Sequence, residues 1–311
     1  MKSTFNQVLA VVKDCYKPSL KSALWILKMM IPISLGVVLL QHFGIIEQIS
    51  EVTSPLFKLV GLPGEAALVY ITAALVNIYS AIAVISTFSF DARAITMLAI
   101  SSLIAHNLIV ETAVQRKTGS SAWAMLSVRL GLSVISLVIM NLVLPSSSGV
   151  LVQSGIVEKP ALIDALHKWL TSSIFLSFKI VVLVFALNLL QQILKKLGII
   201  EILSKLLRPL LSVLGLPNRT SFLWIVANTL GLAYGAAVMI SEVEKKNIEK
   251  EEADLLNYHV AVSHSNLEDL FLFAAIGASV FWMLVLRVGL AALIVWVVRL
   301  TLYRNHKFAT I

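Results

Sequence analysis

The chain has 311 residues, 58% of them hydrophobic and 14% charged, against about 25% charged in a typical soluble domain. That balance argues against a water-soluble fold, and a single cysteine, Cys15, excludes intrachain disulfides and thiolate metal clusters. The formal net charge is +8, but the basic residues flank apolar segments instead of forming one dense patch, so anionic lipid headgroups, and not nucleic acid, are the expected partner.

Residues 1–21 place Lys2, Lys13, Lys17 and Lys21 among Phe5, Val8, Leu9, Val11, Val12 and Tyr16, which reads as a basic amphipathic helix lying on a membrane surface. A cleavable signal peptide fits poorly, because Lys13 and Asp14 interrupt the apolar stretch. Residues 22–145 then offer an apolar helix at 22–43 and an amphipathic segment closed by Gly61-Leu62-Pro63. A charge-free run from Ala66 to Phe90, a segment carrying His106, and a segment carrying Arg129 that ends near Pro145 complete the unit. Ser146-Ser147-Ser148-Gly149 and Lys159-Pro160 mark residues 146–168 as a linker. Residues 169–303 follow the same plan, with an apolar helix at 171–194, a closing Gly215-Leu216-Pro217 and a charge-free run from Thr220 to Ser241. Glu242 to Asp254 reads as a solvated charged loop, and residues 304–311 as a basic tail. The charge-free runs are long enough to cross a hydrocarbon core of roughly 30 Å as helices, and they lack the alternation of barrel strands. The expected fold is all-α, a polytopic transmembrane helical bundle.

Internal repetition organises that bundle. Gly44-Ile45-Ile46-Glu47 recurs as Gly198-Ile199-Ile200-Glu201, and between Gly44 and Pro63 ten of 20 positions are identical to residues 198–217. After a longer second-half loop, His106 matches His264, Glu111 matches Asp269, and Arg129 matches Arg287. The amphipathic segments differ in charge: Glu47, Glu51 and Lys58 in one, and Lys195, Lys196, Lys205 and Arg208 against Glu201 in the other. Basic residues gather on the cytoplasmic side, so this difference favours an inverted repeat with the amino terminus cytoplasmic in a bacterial-type inner membrane. Four apolar segments per copy then require at least one to be broken or re-entrant.

Polar and ionisable groups inside apolar segments are costly and mark functional candidates. They are Asn77, Ser80, His106, Asn107 and Glu111 in the first half, and Asn228, Tyr234, His264, Ser265 and Asp269 in the second. Arg129, Arg287 and Glu268 are assigned structural or orienting roles. Imidazole and carboxylate suit a divalent metal and proton transfer equally, and the spacing selects neither. The plainer alternatives are structural ion pairs, Glu111 with Arg129 and Asp269 with Arg287, and asparagines serving as interhelical glue. His-Glu-x-x-His is absent, and an enzyme is not expected.

Gly61-Leu62-Pro63-Gly64-Glu65, the helix with Asn77, and His106 to Glu111, together with their second-half counterparts, resemble the nucleoside recognition, or Gate, domain family. Its members include parts of concentrative nucleoside transporters, the membrane region of ferrous iron transport protein B, and spore maturation proteins A and B. The resemblance covers about residues 40–145 and 195–300 and implies an alternating-access carrier with its site between the repeats. A small polar or charged solute is the expected cargo, nucleoside-like slightly ahead of a divalent metal, with H⁺ or Na⁺ coupling allowed and no organic cofactor. A non-transporting membrane scaffold, as in the spore maturation relatives, is the alternative, and a homo-oligomer is compatible with either.

Overall fold

The computed structural model describes the backbone of residues 2–145 and 161–304 and, apart from residues 2–15, 232–234 and 236, their side chains. The first half runs α1 (Lys2–His42), α2 (Ile45–Lys58), α3 (Ala66–Leu75), α4 (Ile78–Ile85), α5 (Ala92–Ala105), α6 (Leu108–Lys117) and α7 (Ala122–Val143). The second runs α8 (Leu162–Lys196), α9 (Ile199–Leu206), α10 (Arg208–Val213), α11 (Ser221–Thr229), α12 (Leu232–Glu244), α13 (Lys250–Val262), α14 (Asn266–Ala274) and α15 (Val280–Thr301), with one 3₁₀ turn at Asn218–Thr220. Among the described residues there is no strand, and five helical stretches are long and apolar enough to span a bilayer: Tyr16–His42, Ala92–Lys117, Ala122–Val143, Leu162–Lys196 and Val280–Thr301. The fold is a polytopic helical bundle.

Glycine in the left-handed conformation ends both long helices: Gly44 (φ 78°) turns α1 into α2, and Gly198 (φ 64°) turns α8 into α9. Only glycine enters that region without steric cost. The helices that follow leave Val52 and Leu56, and Ile202 and Leu206, exposed. On α7, Val134, Ile135, Val138 and Leu142 are exposed, as are Phe281, Val285, Leu293 and Leu300 on α15. Faces this apolar are stable against lipid and not against water. Inside, α5 packs on α7 and α13 on α15, while α7 also packs on α13 and α15 on α5. The two units are thus cross-braced.

Two segment boundaries differ from expectation. α1 continues without interruption across residues 21–22, where an interfacial helix was expected to give way to a spanning one; Pro18, three residues earlier, lies inside the helix without ending it. α8 begins at Leu162, inside the expected linker, with Asp164 in its first turn complementing the helix dipole. The rest of the linker and residues 305–311 of the basic tail lie outside the described residues, as do the side chains that would define the amphipathic face of residues 1–15. The acidic run Glu242–Asp254 is mostly helical: α12 ends at Glu244, and Glu249 and Glu252 form a reciprocal capping box that starts α13.

Both charge-free runs are broken, and so are both histidine segments. Between α3 and α4, Val76 leaves helical geometry (φ −111°, ψ −85°) and Asn77 is extended, with its side-chain oxygen accepting from Ser80 N at 2.9 Å. Between α11 and α12, Gly231 (φ 90°, ψ 164°) makes the break in a region essentially reserved for glycine. Asn107 (φ 47°) and Ser265 (φ 50°) sit left-handed between α5 and α6 and between α13 and α14. In each half the two breaks face each other: Asn107 N donates to Ala73 O at 2.9 Å, and Ser265 N donates to Ala227 O at 3.0 Å.

A buried histidine, glutamate and arginine site

A helix break in an apolar interior frees carbonyls that have no water to bond. Two fully buried arginines answer that need with matching geometry. Arg129 donates from Nε to Ile104 O at 2.9 Å and from Nη2 to His106 O at 2.5 Å. Arg287 donates from Nε to Val262 O at 3.1 Å and from Nη2 to His264 O at 2.9 Å. Each arginine therefore caps the last turn of the helix that carries its own half's histidine.

The histidines meet. His106 and His264 rings lie 5.2 Å apart between centroids, and both Nε2 atoms face one carboxylate oxygen, Glu111 Oε1, at 2.9 Å and 3.3 Å. The other oxygen, Glu111 Oε2, pairs with Arg129 Nη2 at 2.7 Å. On the far side of each ring, Nδ1 faces a backbone carbonyl, Leu103 O at 3.1 Å for His106 and Val260 O at 2.5 Å for His264. All four side chains are buried. The arrangement holds two rings and a carboxylate rigidly in a low-dielectric interior, which suits it to bind or exchange a cation.

The second half does not repeat this chemistry. Asp269, the counterpart of Glu111, is buried with Oδ2 lacking any hydrogen-bond partner. Arg287, expected to orient it, gives its remaining contact to Asn266 Oδ1 at 3.0 Å. Aspartate is one methylene shorter than glutamate, and asparagine at 266 supplies an acceptor where the first half has Leu108. Glu268 is drawn away from His264 by Tyr79, whose hydroxyl donates to it at 2.6 Å.

The remaining candidates are structural in placement. Asn77 caps α4, and its Nδ2 lies 3.5 Å from Met29 Sδ. Ser80 keeps a buried hydroxyl without a hydrogen-bond partner. Asn228 accepts from Asn266 Nδ2 at 2.6 Å and donates to Trp224 O at 2.9 Å. Asn107 and Ser265 contribute backbone shape, without a capping side-chain bond. The side chain of Tyr234 lies outside the described residues.

Sequence reasoning passed over one buried network. Asn257 Nδ2 donates to Thr118 Oγ1 at 2.8 Å and to Ser120 Oγ at 2.9 Å, joining α13 to the turn after α6, and Ser120 bonds Asp254. Asp254 also accepts from Tyr303 at 2.7 Å; burial, and then this hydrogen bond and the carboxylate's charge, hold that phenol above its ordinary pKa. An asparagine within Leu255-Leu256-Asn257-Tyr258 was the available signal. A polar-lined groove lies elsewhere, between α1 and α8, with Ser34, Gln41, Lys168 and Trp169 on its walls and Trp169 Nε1 donating to Ser34 Oγ at 3.1 Å.

Helices of this length and apolarity, cross-braced around a buried charged cluster, define a multi-pass helical membrane protein. The chain is 31% identical over 271 residues to the uncharacterized membrane protein YvoD of Bacillus subtilis (strain 168), covering 86% of this chain and 87% of that relative. It belongs to the family of that membrane protein. No family model matches the chain, and no solved structure matches it.

Proposed function

We propose that the chain is a secondary carrier that moves a small polar or charged solute across a bacterial-type inner membrane by alternating access, its two halves arranged as inverted repeats of the Gate type. The observation that carries this reading is the convergence of broken helices from both halves on one buried site, His106, Glu111, His264 and Arg129. Broken helices are the recurring means by which carriers bring backbone dipoles and side chains to a solute within the membrane. The cross-bracing of α7 with α13 and of α15 with α5 makes the contact between halves the surface on which such a carrier would rock. The lysines of the first 21 residues support a cytoplasmic amino terminus. H⁺ or Na⁺ is the coupling ion consistent with the site.

A membrane scaffold resembling the spore maturation proteins is the second reading. It is favoured by one observation: Glu111 lies in ion-pair contact with three side chains, and the groove at Ser34 and Trp169 does not reach it. Uptake of a labelled solute panel into proteoliposomes separates the two. The carrier reading expects flux of at least one solute in wild type and its loss in Glu111→Gln. Absence of flux for every solute, under both a proton and a sodium gradient, would favour the scaffold.

A further inference from the structure

With neutral rings the donor and acceptor inventory at the site does not balance. A backbone carbonyl only accepts, so the contacts of His106 Nδ1 with Leu103 O and of His264 Nδ1 with Val260 O place a hydrogen on each Nδ1. In a neutral ring that leaves each Nε2 with a bare lone pair. Both lone pairs face Glu111 Oε1, while Oε2 is paired with the Arg129 guanidinium. Three electron-rich atoms therefore converge on one point. One shared proton satisfies one of the two contacts and leaves the other repulsive. Two protons satisfy both contacts but set two imidazolium N–H groups on a single oxygen, with ring centroids 5.2 Å apart, whereas a divalent cation carries the same total charge and bonds all three atoms from one point.

We infer that His106 Nε2, His264 Nε2 and Glu111 Oε1 form a binding site for a divalent transition-metal cation of the Zn²⁺, Fe²⁺ or Mn²⁺ class. One such ion satisfies all three atoms at once. Bonds of about 2.0–2.2 Å to nitrogen and oxygen set neighbouring tetrahedral corners roughly 3.3 Å apart. The two distances to Oε1, 2.9 Å and 3.3 Å, are near that value, and all three ligand atoms lie within 4.8 Å of one another. The surroundings also match what metal-binding histidine requires, since each ring donates its other N–H to a carbonyl, which fixes both tautomer and orientation. Arg129 orients the carboxylate from the opposite oxygen. Three protein ligands leave a fourth position open, so an ion here can exchange or accept a further ligand. The two halves supply unequal shares: His106 and Glu111 from the first and His264 from the second, so the ion would bridge them.

The site stands whether or not a solute is carried, and its test needs no transport. Tag-free protein in detergent micelles is titrated with Co²⁺ as an optical probe and then with Zn²⁺. The expected result is one Co²⁺ per chain with the visible absorption of a four-coordinate site, displaced by equimolar Zn²⁺. His106→Gln and His264→Gln should each weaken binding by more than about 100-fold, since even outer-shell partners are worth roughly 10–100-fold. His167→Gln, at an exposed position on α8, should leave it unchanged. X-ray absorption of bound Zn²⁺ should show two imidazoles, a readout that needs no variant. Absence of binding in wild type, affinity undiminished in both site variants, or a bound ion without imidazole ligands would each overturn the inference. Flux without metal binding would leave the carrier standing and remove only this site.

Discussion

The two histidine-bearing breaks have one backbone and two chemistries. His106–Asn107 and Ser263–Ser265 interrupt their helices alike, Asn107 and Ser265 both turn left-handed, and Arg129 and Arg287 cap the same pairs of carbonyls. Yet Glu111 gathers both histidines and an arginine, while Asp269 ends in an oxygen without a hydrogen-bond partner. Matching backbone geometry is therefore separable from the chemistry it holds. The frame can tolerate divergence at the carboxylate because the arginine bonds that support it go to main-chain atoms.

The comparison breaks first at the arginines. Arg129→Ala leaves two carbonyls and the Glu111 carboxylate unsatisfied in the interior, and removing one partner of a buried pair costs about 3–5 kcal/mol. Arg287→Ala strips the same carbonyls without orphaning a paired carboxylate, so thermal unfolding in detergent should find it the milder of the two. Equal losses would show that the arginine–glutamate pair adds nothing beyond the caps.

Next come the carboxylates. Glu111→Gln keeps the shape and removes the charge that pairs with Arg129, with an expected loss of about 1.5–3 kcal/mol, the contribution of a hydrogen bond to a charged group. Asp269→Asn should stay within about 1 kcal/mol of wild type, because asparagine keeps the shape of a buried carboxyl group that the fold leaves poorly satisfied. A large loss at Asp269 would reveal a second working carboxylate.

The helix breaks in the charge-free runs give a finer contrast. Gly231→Ala forces a side chain into a conformation reserved for glycine and should cost about 1–3 kcal/mol. Asn77→Ala loses one cap bond, about 1 kcal/mol. If the order were reversed in unfolding experiments, the first break would depend on its cap more than the second depends on its glycine.

The class of fold was legible because its signals are additive: apolar run length, basic flanks and turn glycines accumulate over many residues. Gly61 and Gly215, which close the amphipathic segments, were readable as punctuation for the same reason. Pairing His106 with His264 as candidates was possible from their matching positions in the chain, but their shared dependence on Glu111 was not, since sequence holds no record of which carboxylate reaches across. Arg129 was expected to serve a side chain and also caps a broken helix, a role that appears only once the break is seen. The breaks themselves had weak signals. Asn77 resembles a glue residue until the chain around it is extended, and Gly231 resembles a packing glycine until its φ is positive. Asn257 escaped notice because a single amide in an apolar helix carries no spacing to read.

The placement of Arg129 bears on how the chain is made. Glu111 and Arg129 lie in one helical hairpin, while His264 is synthesised later, by roughly 10–30 s at translation rates of about 5–20 residues per second. During that interval the carboxylate already has its counter-ion from α7, so the first half can wait in the bilayer as a locally neutral unit. His264 then arrives at a carboxylate whose position has been set before it.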